Sequence, residues 1–453
     1  MFCHVKNFTY FCEVFKNELN SMKSYMPKIE KLSQDITPFG GISYINAEFN
    51  RCGLAQLIDS ELGNRVKTTG YTYSEIFRTW SDIIFCGGDC AEDVQIHLRK
   101  SLEQIPNNAV PGPDVLLRGI KELAADNTGV VSESGNIYQF NINDKMNGLN
   151  IKSILLTGEL ESGKSYDFDY DNQIISHGKY DAKRTYKHNT GYFPGVATIG
   201  NKIIYVENRD GNANVKIAQA ETLKRAYKTV KDHGMSIKRS RMDAGSYSKE
   251  IIDAVSQNSE LFYIRANRCM SLTERIAQID KDAWQTIEIN YKEYQVTSLP
   301  FTQFFEDRNY RLVIMREKSK DAQLDLFTGD SFIYRSILTN DRESSEKAVI
   351  EYYNARGGSE KIFDIRNNDF GWRHLPCSDM KHNTVYLILT AMIKNFYNYI
   401  AGKVSAVFTD IFPTTRLKRF IFRFISVPAR WYYRGRQWIL GLYTDRPYEK
   451  IFV

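Results

Sequence analysis

Cysteine is sparse and unpaired in this chain. Seven are scattered over 453 residues, at positions 3, 12, 52, 86, 90, 269 and 377. Only Cys86 and Cys90 lie close together, and no second Cys or His pair follows at zinc-site spacing. That argues against a disulfide scaffold and a zinc finger, and suits reduced thiols in a cytoplasm. Long apolar runs are missing too. The longest, Val385 to Ile393, falls far short of the ~20 residues of a spanning helix, so no membrane association is expected. The N-terminus shows no basic-apolar-small leader pattern. Internal repeats, low-complexity tracts and long linkers are also lacking. These absences leave a soluble globular protein that stays in the cell.

The length accommodates two to four domains, and a hydrophobic content of 42% supplies a sizeable core. Aromatics reach 13%, which favours strands and surfaces that stack on bases or sugars. A formal charge of +6 and a pI of about 8.7 make the surface mildly basic, compatible with nucleic acid. Cations gather towards the C-terminus. From Lys403 onward, Arg416, Lys418, Arg419, Arg423, Arg430, Arg434, Arg436, Arg446 and Lys450 outnumber Asp410, Asp445 and Glu449. Trp431, Tyr432, Tyr433 and Trp438 are interleaved with them. This composition suits a phosphate-tracking surface, with a solvated basic face as the alternative.

Residues 1–150 read as a mainly helical DNA-binding or dimerisation region. Ser74 is placed to cap a helix running to Phe85, and Asp114 to cap one from Val115 to Ala125. From Ile151 the pattern becomes strand-rich, starting with Ile154 to Thr157 and continuing through Tyr166–Asp171, Gly191–Thr198 and Lys202–Glu207. A helix over 218–231, a strand over 235–242, a helix capped by Ser248 and a strand over 261–265 follow. Strands giving way to alternating helices and strands predict a mixed α/β sheet covered by helices. On this reading 151–284 forms the first part of the core, 285–340 a β-rich insertion and 341–402 the second part. Residues 403–453 form the basic aromatic C-terminal region.

The stretch Tyr166-Asp167-Phe168-Asp169-Tyr170-Asp171 organises the rest. At a strand's two-residue period its three acids share one face. Like charges so aligned need a positive partner, for which a divalent metal is a candidate and a solvated edge strand the alternative. Just before it, Gly158-Glu-Leu-Glu-Ser-Gly163-Lys164-Ser165 matches the phosphate-loop pattern. That loop requires a helix after it, whereas this chain continues as an acidic strand, so nucleotide binding ranks third among the readings. A stronger constellation joins Asp169 in mid-strand, Asp243 at the end of a later strand, and Glu360 in a helical stretch. In a continuous helix Tyr353, Arg356 and Glu360 would share one face. Two acids from strands and one from a helix is the layout of an RNase H-like nuclease or strand-transfer site, where carboxylates hold two divalent metals.

With these residues in view, the sequence resembles the DDE superfamily of bacterial insertion-sequence transposases, in the branch called DDE group 1. The likeness rests on Gly40-Gly41-Ile42, Cys86-Gly-Gly-Asp-Cys-Ala-Glu-Asp93, Pro113-Asp114 with Arg118, Asp167-Phe-Asp169-Tyr-Asp171, Gly191-Tyr-Phe-Pro194, Asn208-Arg-Asp-Gly-Asn212, Arg241-Met-Asp243-Ala-Gly245, Tyr353-x2-Arg356-x3-Glu360, Asn368-Asp-Phe-Gly371, Leu375-Pro-Cys377 and Asn383. The resemblance implies an RNase H-like core and a catalytic and metal-binding triad of Asp169, Asp243 and Glu360. Asp169 takes the first place by its position in the motif, with Asp167 as the alternative and Asp171 standing where the family has threonine. Tyr353 and Arg356 would position DNA. The family's closing lysine is replaced by Asn367, so either Arg366 contacts the DNA backbone or that contact is absent. His177, His188 and His374 receive no role. Also implied are Mg²⁺, with Mn²⁺ able to substitute, and double-stranded DNA as partner, both terminal inverted repeats and target. A homodimer on paired ends and a cytoplasmic, nucleoid-associated location complete the expectation. The runner-up is a catalytically inactive DNA-binding relative.

Overall fold

The computed structural model describes residues 29–33, 35–65, 70–267, 270–305, 307–318 and 331–452. Its contacts divide the chain into residues 1–36 and 37–453. Of the first unit, the described residues carry no regular secondary structure. All that follows concerns the second.

The helices that lead it include α1 (Ile42–Arg51), α2 (Leu54–Leu62), α3 (Tyr73–Phe85) and α4 (Pro113–Glu122), with a short helical stretch over Val94–Leu102 between the last two. In α3, Ile76, Phe77, Trp80, Ile83 and Ile84 recur at helical spacing and are buried. Its cap is Thr72 rather than Ser74. Thr72 Oγ1 accepts from the Glu75 N–H while Glu75 accepts from the Thr72 N–H, a reciprocal box. Ser74 instead donates to Asp59 at 2.7 Å. Likewise α4 starts at Pro113, one residue ahead of Asp114, because proline's fixed φ suits the first helical position. A hairpin of β1 (Asn127–Val131) and β2 (Ile137–Asn141) interrupts this helical region.

Residues Asp144–Leu156 form α5, so the strand expected at Ile154–Thr157 is the end of a helix. A short apolar run cannot by its period distinguish the two, and here Asn143 caps Met146 and starts a helix. The acidic stretch is β3 (Ser165–Asn172) as expected, followed by the short strands β4 (Ile175–Ser176), β5 (Lys183–Arg184) and β6 (Thr190–Tyr192). Then come β7 (Gly195–Ile199), β8 (Lys202–Arg209), α6 (Gln219–Asp232), β9 (Ser236–Met242), α7 (Lys249–Ser256), β10 (Leu261–Arg265) and α8 (Met270–Ala277). Strands β11 (Gln285–Ile289), β12 (Lys292–Phe301), β13 (Tyr310–Lys318) and β14 (Phe332–Thr339) precede α9 (Glu346–Asn354), α10 (Ser359–Asp369) and the long α11 (Met380–Ser405). Strands β15 (Ala429–Arg434) and β16 (Gln437–Leu442) close the chain.

Eleven strands form one sheet, ordered β1-β2-β8-β7-β3-β9-β10-β14-β13-β12-β11. Its middle, β8-β7-β3-β9-β10, is an RNase H-like core: an antiparallel meander through β8, β7 and β3, then β9 and β10 parallel to β3. The β-rich segment is continuous with it, because β14 pairs antiparallel with β10. One face of the sheet packs against α6 and α7 through Phe168, Tyr227, Ile252 and Phe262. A second core surrounds α11, which is apolar around most of its circumference and buried among α1–α4. Among the described residues no helix is long and apolar enough to cross a membrane.

Strand β8 pairs with β2 only at its end, and asparagines complete the rest of its outer edge. Asn147 bonds both polar groups of Val206 at 2.9 Å. Asn395 does the same for Ile203 at 3.0 and 2.8 Å, and Asn150 adds a third bond there. Buried backbone groups are thus satisfied without another strand. Asp82 in α3 is the less comfortable buried polar group. Burial lifts its carboxyl to about 7, with Arg78 and Asn46 offsetting only part. The raised folded value means the native state binds the proton that the unfolded chain has lost, so this group's stabilisation fades as pH rises from about 4 to about 7. Asp82→Asn, neutral throughout, is therefore expected to match wild type in thermal melts near the lower limit and exceed it above the upper one.

Candidate active site

Strand β3 carries its acids on one face, and each meets an arginine. Asp167 receives Arg239 at 2.7 and 2.6 Å, and Asp169 receives Arg241 at 2.7 and 2.8 Å. Both arginines stand on β9, directly opposite in the parallel register. The pairs arise from two alternations, Asp167-x-Asp169-x-Asp171 against Arg239-x-Arg241-x-Asp243. Continued past Tyr170↔Met242, the same register sets Asp171 beside Asp243, the one like-charged rung. That rung lies at the carboxyl ends of the parallel strands, where open α/β sheets bind ligands.

The structure thus brings Asp171, not Asp169, against Asp243. Burial pushes the Asp171 carboxyl up to about 6, the Asp243 charge adds to that, and Arg356 offsets part of it. Arg356 donates to Asp171 Oδ2 at 2.7 Å and to the Tyr170 carbonyl at 3.3 Å. Both carboxylates of Asp167 and Asp169 are occupied by bidentate guanidinium forks, the strongest geometry for such pairs. The cation demanded by an acidic strand face is therefore supplied from β9 for two acids out of three. The signal was present in the sequence as Arg239-Ser-Arg241, but reading it required the strand register.

Helix α9 is tied to this edge. Arg241 donates its third nitrogen to the Tyr352 carbonyl at 2.9 Å, and Tyr353 Oη donates to the Met242 carbonyl at 3.2 Å. The Tyr352 ring lies against both Arg239 and Arg241, at 4.1 and 4.7 Å from its centroid. The continuous helix expected through Tyr353, Arg356 and Glu360 is broken instead. Helix α9 ends at Asn354, Ala355–Gly358 makes a 3₁₀ turn, and α10 begins at Ser359. The Gly357-Gly358 pair gives the physical reason, since glycine is costly inside a helix. Glu360 belongs to α10 by its backbone, and its side chain lies outside the described residues.

Two cavities flank Arg356. One of about 520 Å³ is lined by Asp243, Arg265, Tyr353 and Arg356, and the other, about 200 Å³, by Asp171, Arg356, Phe363 and Arg366. Arg366 is only 2% exposed. Its guanidinium packs 5.4 Å from the Phe363 and Trp372 rings, and burial lowers its pKa to about 9. The solvent-facing DNA contact expected of Arg366 is not where the structure puts it; it supplies positive charge behind Asp171. Asn367, at the family's lysine position, accepts a hydrogen bond from Gln173 at 2.6 Å.

The phosphate-loop pattern joins the end of α5 to β3, and Lys164 pairs with Glu161 at 2.9 Å. A strand, β3, follows it where the motif needs a helix N-terminus. Elsewhere, Asp89, Cys90 and Asp93 converge. Asp93 Oδ2 accepts from the N–H groups of Asp89 and Cys90 at 2.9 and 3.3 Å, which makes the cluster a local turn.

Close approach also fixes this edge. A Cβ on Gly195 would lie 2.0 Å from Tyr170 Oη, and that hydroxyl accepts from buried Arg209 at 2.8 Å. Gly195 and Arg209, from the Gly-Tyr-x-Pro and Arg-x-Gly-Asn neighbourhoods, thereby hold the residue next to Asp171.

An RNase H-like sheet with converging acids at the carboxyl ends of its parallel strands defines a nucleic-acid-processing class of α/β core. Within that class the assignment is specific: residues 166–453 match the family described as Transposase DDE domain group 1. The chain belongs to that family and is a DDE transposase. No curated protein matches it. Among solved structures it is similar to the cryo-EM structure of the piggyBac transposase synaptic complex with hairpin DNA. The identity is 12% and the TM-score 0.43, over 85% of this chain and 79% of that one.

Proposed function

We propose that this protein cuts the ends of an insertion sequence and joins them to target DNA, with Asp171, Asp243 and Glu360 as the acids that hold the metal. The supporting observation is the like-charged rung of the β3–β9 ladder, Asp171 beside Asp243, at the end of a ladder whose other acids on β3 are neutralised by arginine. With Glu360, three carboxylates would stand against Arg356 and Arg366, and hard oxygen donors suit Mg²⁺ or Mn²⁺, so the residues fit divalent ions. When bound, such ions activate a water or a 3′-hydroxyl and neutralise charge at the leaving oxygen.

The chain's own residues supply position. Asp169 and Asp167 hold Arg241 and Arg239, and Arg241 holds the end of α9. Arg356 lines the cavity beside Asp243 and would orient phosphate there together with Tyr353. Arg366 remains behind the site as a compensating charge. The protein works in the cytoplasm at the nucleoid, as a homodimer on paired terminal repeats.

The test uses the purified chain, Mg²⁺ and a duplex carrying the inverted repeats that flank its own gene. Nicks leaving a 3′-hydroxyl at the repeat ends, abolished by chelation, are expected. Binding of the repeats without cleavage in Mg²⁺ or Mn²⁺ would establish the inactive DNA-binding relative, which the Asn367 replacement favours. Failure to bind the repeats would overturn both.

A further inference from the structure

The hairpin β15–β16 forms a separate two-stranded sheet. Near its base, Ala429 bridges Thr37 and Leu442 packs on the α11 core. Towards the tip, Tyr432 to Trp438 are exposed. Strand alternation puts Trp431, Tyr433, Trp438 and Leu440 on one face, and Arg430, Tyr432 and Arg434 on the other. Tyr433 and Trp438 meet edge to face at 5.3 Å, yet they stay 60% and 52% exposed. Exposed aromatic pairs contribute little to a core and commonly mark a contact surface.

The turn carries the more pointed observation. Gly435 and Arg436 have φ of 62° and 64°, the left-handed pair of a two-residue hairpin turn. Asparagine or glycine suits the second position better than arginine. Turn formation therefore does not account for Arg436, while its charge does. Arg430, Arg434 and Arg436 are all exposed, and no acid occurs from Ala429 to Thr444.

A two-stranded ribbon fits the major groove of duplex DNA, and strands of this length extend roughly 20 Å from their base. Exposed arginines on an acid-free arm complement backbone phosphate. We propose that β15–β16 is an arm that lies on duplex DNA, with Arg434 and Arg436 at its tip contacting phosphates. The inference rests on the DNA-acting reading above and adds a contact surface on a different sheet from Asp171 and Asp243.

The experiment measures binding of the full chain to a short duplex of arbitrary sequence across a salt series. The variants are Arg434→Gln/Arg436→Asn, chosen because asparagine tolerates the left-handed turn, and the charge-keeping Arg434→Lys/Arg436→Lys. The neutral pair should bind more weakly, with a slope of log affinity against log salt shallower by about 2. The lysine pair should recover the wild-type slope, and thermal melts should not move. Wild-type binding with an unaltered slope in the neutral pair would overturn the arm and leave the transposase reading intact. So would loss restricted to single-stranded DNA. Wild type that binds no duplex would remove both.

Discussion

Asp171→Asn is expected to lower metal-dependent cleavage at the repeat ends by at least about 10³-fold, the scale for loss of a group that stabilises charge in the transition state. Asp243→Asn and Glu360→Gln should behave alike. Asp169→Asn should cost only about 10–100-fold, as is usual for residues that support the groups holding a metal. The distinction follows from the ladder. Both oxygens of Asp169 are committed to Arg241, whereas Asp171 shares its rung with Asp243 and meets Arg356 through one oxygen. A quenched-flow or gel assay under single-turnover conditions separates the two cases. Direct binding of Mn²⁺, followed by its paramagnetic relaxation, supplies a readout independent of turnover: Asp171→Asn should abolish it and Asp169→Asn should retain it. If Asp169→Asn loses metal while Asp171→Asn keeps it, the first acid is Asp169 and the register argument fails.

The second large effect concerns stability. Arg225→Met should destabilise the fold by about 3–5 kcal/mol, the usual cost of leaving a buried charge without its partner. Glu207, on β8, is fully buried. It is held by Arg225 through two bonds of 2.9 Å, by Thr222 at 2.7 Å and by Tyr205 at 2.9 Å. Arg225 itself is 28% exposed, so the arginine alone can shed its charge penalty to solvent when the glutamate is removed. The double variant Glu207→Met/Arg225→Met should therefore recover much of the loss. Midpoints of chemical denaturation for the two single variants and the double variant give the coupling. Additive single effects would show that the pair is not acting as a unit.

Much of this site could be read in one dimension. The period of two in Tyr166–Asp171 put three acids on a common face, and β3 bears them as read. The spacing predicts Asp243 at a strand end, and it follows β9 immediately. Patterns of apolar residues and turn signals predict helices over 218–231 and 249–257 and the strands of the central sheet, and the helices stand at Gln219–Asp232 and Lys249–Ser256. Motifs of distinct composition in a fixed order carried the family assignment. Boundaries depended on finer competition: Thr72 outdid Ser74 because only Thr72 has Glu75 three residues on, and α5 replaced a strand because a four-residue run has no decisive period.

The sequence by itself determined the composition of the acidic face, the order of its motifs and the α/β class, since these depend on local spacing and on the periods of strand and helix. Tertiary structure alone decided which acid of β3 lies beside Asp243. That choice depends on the register between β3 and β9, which is set by pairing across more than 70 residues of chain, and no local pattern fixes it. It also decided that Arg366 is enclosed by Phe363 and Trp372, and that the Gly357-Gly358 pair separates Arg356 from the helix of Glu360. Each is a matter of which surfaces close on which, and the physical reason is the same: burial and strand register are properties of the packed sheet, and neighbours along the chain do not encode them singly.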